Sequence, residues 1–535
     1  MPSYNTHLTA LENCAIQFAQ SPAFRVPLID PDTKHILRWQ TITYSQFNAD
    51  VKHFARYWTS KLSEAGVPSR SVVGLWIGGM TYVDVLHIYS IARAGYIPQL
   101  FSLRLPNPDV IFELLAKSNG RALIFDTTFN VPAASSGVST HMATDVRGVP
   151  VDDSVSLPSV VREVEGDETV IIFHTSGSTS GRPKLVPCSY RWLDMALYKS
   201  AQCTVPQNPK RQDVTVWMGS MCHIGQTFMF SGFMQHGSCT IQPTSQAFPT
   251  SELMDMVTRC NLNRLVQFPP FLAAHIRASR QNPKLLAILQ GLDEIFYSGM
   301  LLPNDDEEWM AKNGLKVVNC FGSTECGAMM LAKGVRSPLQ PMEGVHYGFF
   351  PTTSESESDG HQNANNRMLE LVILSDSRDC PDPSLRASDG HFHTGDLFIE
   401  VSPGRYVSRG RDDDWIKSEN SLRCDTKAIE DNVRMTCADL ISECIVVGAG
   451  RPSPALFVEA KDEGRDAETL KKTIIRRTRH FHSRRYLHEQ ITQPKFIVVV
   501  PKGTLPRTAS KGNIRRKAVE DLFKSQLDII YGVAC

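Results

Sequence analysis

The run Phe173-His174-Thr175-Ser176-Gly177-Ser178-Thr179-Ser180-Gly181-Arg182-Pro183-Lys184 crowds hydroxyls and glycines into one short stretch that ends in a lysine. Glycine lets a backbone turn sharply and approach an anion, the hydroxyls of Thr175, Ser176, Ser178 and Thr179 can donate to phosphate oxygens, and Lys184 adds a point charge. This is the chemistry of holding a triphosphate. A Walker loop is excluded, because it needs G-x-x-x-x-G-K-[ST] opening a helix, whereas Arg182-Pro183 separates Gly181 from Lys184. Standing alone, a Ser/Gly-rich stretch equally reads as a flexible connection.

Two more clusters carry complementary chemistry. In Asn319-Cys320-Phe321-Gly322-Ser323-Thr324-Glu325, Phe321 offers adenine a flat apolar neighbour and Glu325 is the hard oxygen ligand that ATP-bound magnesium needs. Thr324-Glu325 after a strand also reads as a helix cap. In His393-Thr394-Gly395-Asp396, the carboxylate of Asp396 can take both ribose hydroxyls, although Gly-Asp is also ordinary turn chemistry.

These clusters need a scaffold of strands. Thr169–Phe173 reads as a buried strand delivering the first loop. Similar short apolar runs occur at Ser71–Ile77, Arg121–Phe125, Arg264–Phe268, Glu294–Tyr297 and Lys316–Cys320, the last three leading into glycine- or proline-bearing loops. They alternate with helix-like patterns, which predicts α/β layers with ligands at the carboxyl ends of the strands. The polar, acidic segment Pro351–Asn363 reads as a solvated loop. A charged turn at Gly410–Asp414 follows the strand-like Arg405–Ser408 and marks a boundary, beyond which roughly a hundred residues form a smaller domain.

With 535 residues, at least two domains are expected. Lys+Arg and Asp+Glu both total 56, so no global field recruits nucleic acid or an anionic membrane. Thirteen scattered cysteines without C-x-x-C spacing fit reduced thiols. The amino terminus lacks a signal pattern, no segment nears about 18 uninterrupted apolar residues, and Tyr531–Cys535 is neither an S-K-L address nor a C-a-a-X box. A soluble, cytoplasmic protein is the expectation.

Taken in order, the Ser/Thr/Gly loop, Phe-Gly-Ser-Thr-Glu, Thr-Gly-Asp, Ser408-Arg409-Gly410-Arg411 with Trp415-Ile416-Lys417, and the closing Pro506–Arg516 segment resemble the acyl-adenylate-forming superfamily. That superfamily includes acyl-CoA synthetases, luciferases and nonribosomal adenylation domains. The wording His174–Thr179, Asp413–Lys417 and Lys511-Gly512 is most similar to adenylation domains of fungal adenylate-forming reductases, here expected as a stand-alone unit. The resemblance implies a large multi-layer α/β domain over residues 1–411 and a small mobile α+β domain over 412–535. It gives Thr175, Ser176, Gly177, Ser178, Thr179 and Lys184 to the phosphates, Phe321 and Thr324 to the nucleotide, Glu325 to magnesium, and Asp396 and Arg411 to ribose. Asp413 becomes the hinge, and Lys511 the catalytic cation.

Met221-Cys222-His223-Ile224-Gly225-Gln226 lies where amino-acid-activating members carry an aspartate and acyl or aryl ligases a His-x-x-Gly-like sequence, here with Gly225 one place early. His223 is therefore taken as catalytic and as part of the acid pocket, with Phe268, Ser298, Gly299 and Met300; each also reads as ordinary core or strand-end chemistry. Three departures stand out: Ser180 is an extra residue in the phosphate loop, Lys511-Gly512 reverses the family's closing pair, and Ser421 replaces a glycine beside the thiol entrance. Arg515, Arg516 and Lys517 read as a solvated helix face. The basic run Arg476–Arg485 reads as a similar exposed face or a coenzyme A phosphate site.

The resemblance implies ATP- and Mg2+-dependent activation of a small carboxylic acid, aryl or aliphatic, followed by acyl transfer to coenzyme A or to the phosphopantetheine of a separate carrier protein or synthase. An amide ligase and a catalytically silent nucleotide-binding module are the alternatives.

Overall fold

The structure, a computed structural model, describes residues 3–129, 137–161, 163–175, 183–300, 302–351, 369–411, 416–420, 422–462, 464–507, 514 and 516–532, with Asn304, Arg411 and Arg423 as backbone alone. The chain forms two compact units. The first comprises 1–103, 115–174 and 185–410; the second comprises 104–114, 175–184 and 411–535. Segment 104–114 counts with the second unit because Leu487 N–H donates to Arg104 O at 2.5 Å and Asn107 Nδ2 to Ser483 O at 2.9 Å.

The first unit is built on three sheets. A six-stranded sheet runs Ser139–Met142, Ala122–Phe125, Val72–Ile77, Ile97–Ser102, Thr169–Thr175, Lys184–Ser189. Val72–Ile77 is buried along its whole length, as expected of a parallel strand covered on both faces.

A nine-stranded sheet runs Gln340–Pro341, Gly327–Lys333, Val317–Ser323, Glu294–Ser298, Arg264–Gln267, Val214–Val216, Cys239–Ile241, Pro22–Ile29, Ile36–Thr43. Its middle is parallel: Val317–Ser323 pairs with Glu294–Ser298, that strand with Arg264–Gln267, and Arg264–Gln267 with Val214–Val216. All four carboxyl ends therefore open on one edge. At the opposite ends a buried Arg264 binds Asp213 at 2.9 Å and Glu294 at 2.5 Å, with its guanidinium over the Phe233 ring.

Between the two larger sheets lies the main apolar core, where Phe24 packs edge-on against Phe47 at 5.1 Å and stacks on Phe230 at 5.4 Å. Helices Thr250–Cys260, Pro269–Ser279 and Pro283–Gly291 contribute to a second core on the nine-stranded sheet. A four-stranded sheet, Tyr347–Pro351, Leu369–Ile373, Phe392–Ser402 and Arg405–Arg411, shares a third core with the Val317–Lys333 hairpin.

The second unit contains a three-stranded sheet, Ile441–Val447, Ala455–Ala460 and Ile497–Val500, and two apolar cores. Its helices include Thr426–Thr436, Ala467–Ser483 and, near the end, Arg516–Leu522 and Lys524–Tyr531, joined at Phe523. Two arginines depart from the solvated faces read in the sequence. Arg516 is largely buried, its Nη1 2.6 Å from Glu430 Oε1, and Arg485 is buried with its guanidinium 3.1 Å from Glu489. Arg476, Arg479 and His480 do face solvent.

All twelve described cysteines are free and buried, and no described helix is long and apolar enough to cross a membrane.

Burial also holds imidazoles neutral. His7, His87, His174 and His275 are pushed down to about 4 and His482 to about 3. An imidazole in an unfolded chain protonates near 6.5, so below about that pH the unfolded state binds protons that the folded state refuses. The stability these groups contribute is complete above about pH 6.5 and is lost as the pH falls toward 4. The melting temperature should therefore fall from pH 7 to pH 5, and less steeply in His275→Gln. An unchanged pH dependence in that variant would contradict this origin.

Candidate functional site

The common edge of the parallel strands gathers most of the described candidate residues. After Val214–Val216 the chain runs to His223, which is the N-cap of helix Ile224–Gln235 and not the end of the strand. Its Nδ1 accepts from Gly225 N–H at 3.2 Å, which leaves the proton of the neutral ring on Nε2. A Cβ on Gly225 would lie 3.2 Å from His223 Nδ1 and crowd the ring. The approach to the helix is pinned by buried Gln226, whose Oε1 accepts from Met218 N–H at 2.7 Å and Gly219 N–H at 3.1 Å.

Phe268 follows Arg264–Gln267 and caps helix Pro269–Ser279. Its buried ring stands edge-on to His223 at 6.4 Å and 80°, and a Cβ on Gly219 would come within 3.1 Å of it. Ser298, Gly299 and Met300 close the neighbouring strand, all half-buried. Ser298 Oγ donates to Cys320 O at 2.7 Å, and Gly299 has φ +95°, a left-handed backbone that favours glycine. His223 and Phe268 thus form one wall.

Phe321 to Glu325 form a hairpin, not a helix cap. Val317–Ser323 turns through Thr324-Glu325-Cys326 into antiparallel Gly327–Lys333, with a register shift between Phe321 and Gly322. At Gly322 a Cβ would lie 2.4 Å from Gly327 O, so only glycine lets the strands approach, and Gly327 itself takes φ +68°. The half-buried Phe321 ring packs edge-on against Phe398 at 5.1 Å. Buried Asp396 lies two residues before Phe398, its N–H donating to Thr394 Oγ1 at 3.0 Å while Thr394 Oγ1 donates to Leu371 O at 2.7 Å. A flat apolar ring beside a buried carboxylate suits a nucleoside.

Within the turn, Cys326 N–H donates to Ser323 Oγ at 3.2 Å and the Glu325 carbonyl accepts from Trp192 Nε1 at 2.9 Å. The half-buried Glu325 carboxylate makes no hydrogen bond or ion pair to another described residue, and a carboxylate so placed is a fitting hard ligand for Mg2+. Thr324, beside it, is also half-buried.

Immediately before Thr175 in the sequence, His174 Nδ1–H donates to Leu100 O at 2.8 Å, its Nε2 accepts from the Gln99 amide at 3.0 Å, and its ring stacks on Phe101 at 4.5 Å. Ser118 Oγ donates to Gln99 Oε1 at 2.6 Å, which orients that amide. These bonds fix the end of strand Thr169–Thr175.

Thr175 and Lys184, both half-buried, begin and end a segment that belongs to the second unit. Ser176, Gly177, Ser178 and Thr179 lie outside the described residues, as do Asp413, Ser421 and Lys511. Arg411 closes strand Arg405–Arg411, and its side chain is likewise outside the description.

Sequence reading missed the supports of this site: Trp192, Lys199, Gln99 and Gln226. No local pattern marks them, because each acts on a partner distant in sequence or on backbone amides that only the folded chain reveals.

The model of the AMP-binding enzyme family matches residues 18–353, and that of the AMP-binding enzyme C-terminal domain matches 413–534. The AMP-binding domain-containing enzyme iboA of Amanita muscaria is 34% identical over 518 residues, 94% of this chain and 99% of its own. The adenylate-forming reductase stbB of Stachybotrys bisbyi is 24% identical over 92% of this chain but only 46% of its own, so the chain spans about half of that relative.

Among solved structures, o-succinylbenzoate CoA synthetase from Bacillus subtilis bound to a product analogue superposes with a TM-score of 0.71 at 16% identity, covering 97% of this chain and 98% of that one. At that identity the likeness concerns the fold. The hairpin beside Asp396 and the parallel edge leading to His223 thus lie in a chain that belongs to the adenylate-forming AMP-binding enzyme family.

Proposed function

We propose that the protein activates a carboxylic acid with MgATP and passes the acyl group to a thiol. The observation that carries this reading is the shared edge on which His223, Phe268, Ser298–Met300 and the Thr324-Glu325 turn follow four adjacent parallel strands. By its motifs, adenine would be taken by Phe321, ribose by Asp396 and Arg411, and the triphosphate by Thr175–Thr179 and Lys184. Glu325, with Thr324 beside it, would hold the magnesium, which when bound to ATP neutralises phosphate charge.

The acid lies with its chain toward His223, Phe268, Ser298, Gly299 and Met300. A carboxylate oxygen attacks the α-phosphorus, the bond from that phosphorus to the bridging oxygen breaks, and pyrophosphate leaves. Lys511 stabilises the charge that builds on the carboxylate and α-phosphate oxygens. Residues 412–535 then turn about Asp413, and a thiol of coenzyme A or of a carrier-bound phosphopantetheine attacks the acyl carbon and expels AMP. Such a thiol acceptor is supported by solved neighbours described as a CoA synthetase in complex with ATP and magnesium ion and as a malonyl-CoA ligase with methylmalonyl-CoA and AMP bound. Twelve buried free thiols suit a reducing, cytoplasmic setting.

Position 223 carries a histidine where amino-acid-activating members carry an aspartate, so it offers an ammonium group no carboxylate. Aryl or aliphatic acids should support ATP–pyrophosphate exchange, and free α-amino acids should not. Faster exchange with an amino acid than with any simple acid would overturn this assignment. Lys511→Ala should slow adenylation by about 10²–10³-fold, the usual cost of one charge-stabilising donor. Exposed Lys517, paired with Asp521 at 3.3 Å, is the control: a crippled Lys517→Ala beside a near-normal Lys511→Ala would reverse the assignment.

A further inference from the structure

One helix holds the Glu325 turn from behind. Helix Tyr190–Cys203, capped by Ser189, presents Trp192 and Lys199 two turns apart on one face. Trp192 Nε1 donates to Glu325 O at 2.9 Å, and Lys199 Nζ donates to Cys326 O at 2.7 Å. Two consecutive carbonyls of the turn are thus drawn inward to this helix.

Lys199 is itself clamped. Its ammonium, with no exposed surface, lies 2.6 Å from the equally buried Asp379. Asp379 also accepts from Ser377 Oγ at 2.5 Å and from the Tyr347 hydroxyl. Burial opposes the Asp379 carboxylate, but the Lys199 charge and the hydrogen bonds from Lys199, Ser377 and Tyr347 outweigh it, and the group stays below its ordinary range. Arg378 pairs with Asp194 on the same helix, which ties the Ser377–Cys380 loop to it a second time.

Burying an ion pair recovers little net stability over an apolar pair of the same shape, so its presence calls for another benefit. That benefit is geometric here. Lysine reaches past the helix surface to a carbonyl, and Asp379 keeps it charged and aimed.

We propose that Trp192 and Lys199, with Asp379 as the counter-ion, are positioning residues that orient the Glu325 carboxylate toward the magnesium of MgATP. The proposal rests on Glu325 being the magnesium ligand. It assigns the helix a part in nucleotide binding through two buried side chains. The device is directional, since fixing both inner carbonyls leaves the Glu325 side chain no freedom to rotate with its backbone.

The test measures ATP binding by calorimetry with no acid present, once with Mg2+ and once with the metal chelated. Trp192→Phe removes the N–H together with one ring of the buried indole, while Lys199→Met removes the charge. Lys199→Met leaves Asp379 unpaired and risks misfolding, so Trp192→Phe carries the comparison, with its melting temperature recorded alongside. Glu325→Gln is the benchmark.

In the native protein Mg2+ should tighten ATP binding, and Glu325→Gln should abolish most of that gain. Trp192→Phe should cut it by about three- to tenfold, the worth of one hydrogen bond, with metal-free affinity unchanged. A normal Mg2+ gain in Trp192→Phe beside a lost one in Glu325→Gln overturns the positioning role alone. An unchanged gain in Glu325→Gln overturns the magnesium assignment, and the positioning role with it. Equal losses with and without metal mean that the helix merely supports the fold, and also overturn it.

Discussion

Parallel pairing of four consecutive sheet strands is the constraint from which the first unit's site follows. A parallel strand must return by a crossover to the same end, so Val214–Val216, Arg264–Gln267, Glu294–Ser298 and Val317–Ser323 all release their loops at one edge. His223, Phe268, Ser298 and Glu325 come from loops up to a hundred residues apart and become neighbours along the sheet through that rule alone. The run ends where Gly327–Lys333 turns back antiparallel, and that reversal makes the tight Thr324–Cys326 turn. Gly322 and Gly327 permit the reversal.

Two buried charge clusters flank the strands, and they do different work. Arg264 with Asp213 and Glu294 closes the amino ends, away from the ligand edge. Burial is the main influence on Glu294 and raises its carboxyl above the usual range, with Arg264 acting against it. Lys199 with Asp379 sits behind the carboxyl-end turn instead, where its ammonium also binds a backbone carbonyl. Breaking the Lys199–Asp379 pair on one side would cost about 3–5 kcal/mol, because an uncompensated charge would remain buried. Only the second bears on the orientation of a side chain at the site.

Much of this was legible in the residues. Apolar runs such as Thr169–Phe173 and Lys316–Cys320 announced their strands, because central strands of a covered sheet carry few polar residues. The hairpin after Ser323 was not legible: Thr-Glu is good helix-cap chemistry, and only the close passage of Gly322 against Gly327 O forces a turn. His223 read as a strand end because a cap formed two residues ahead, on Gly225 N–H, leaves no signature beyond a small residue. Arg485 and Arg516 read as solvated because their partners, Glu489 and Glu430, give no sign in the sequence that they are buried. Lys199 and Asp379 stand 180 positions apart, and no periodicity links them. For Ser176–Thr179, Asp413 and Lys511 the motif alone supports a role.

The most direct measurement follows oxygen from the acid into AMP. Attack by the carboxylate on the α-phosphorus leaves a carboxylate oxygen in the AMP released when any acceptor, thiol, amine or water, takes the acyl group. The enzyme is turned over with an accepted acid labelled with 18O in both carboxylate oxygens, and the AMP is weighed by mass spectrometry. One 18O atom per AMP is the expected result; unlabelled AMP would show that the acid is not activated as an adenylate.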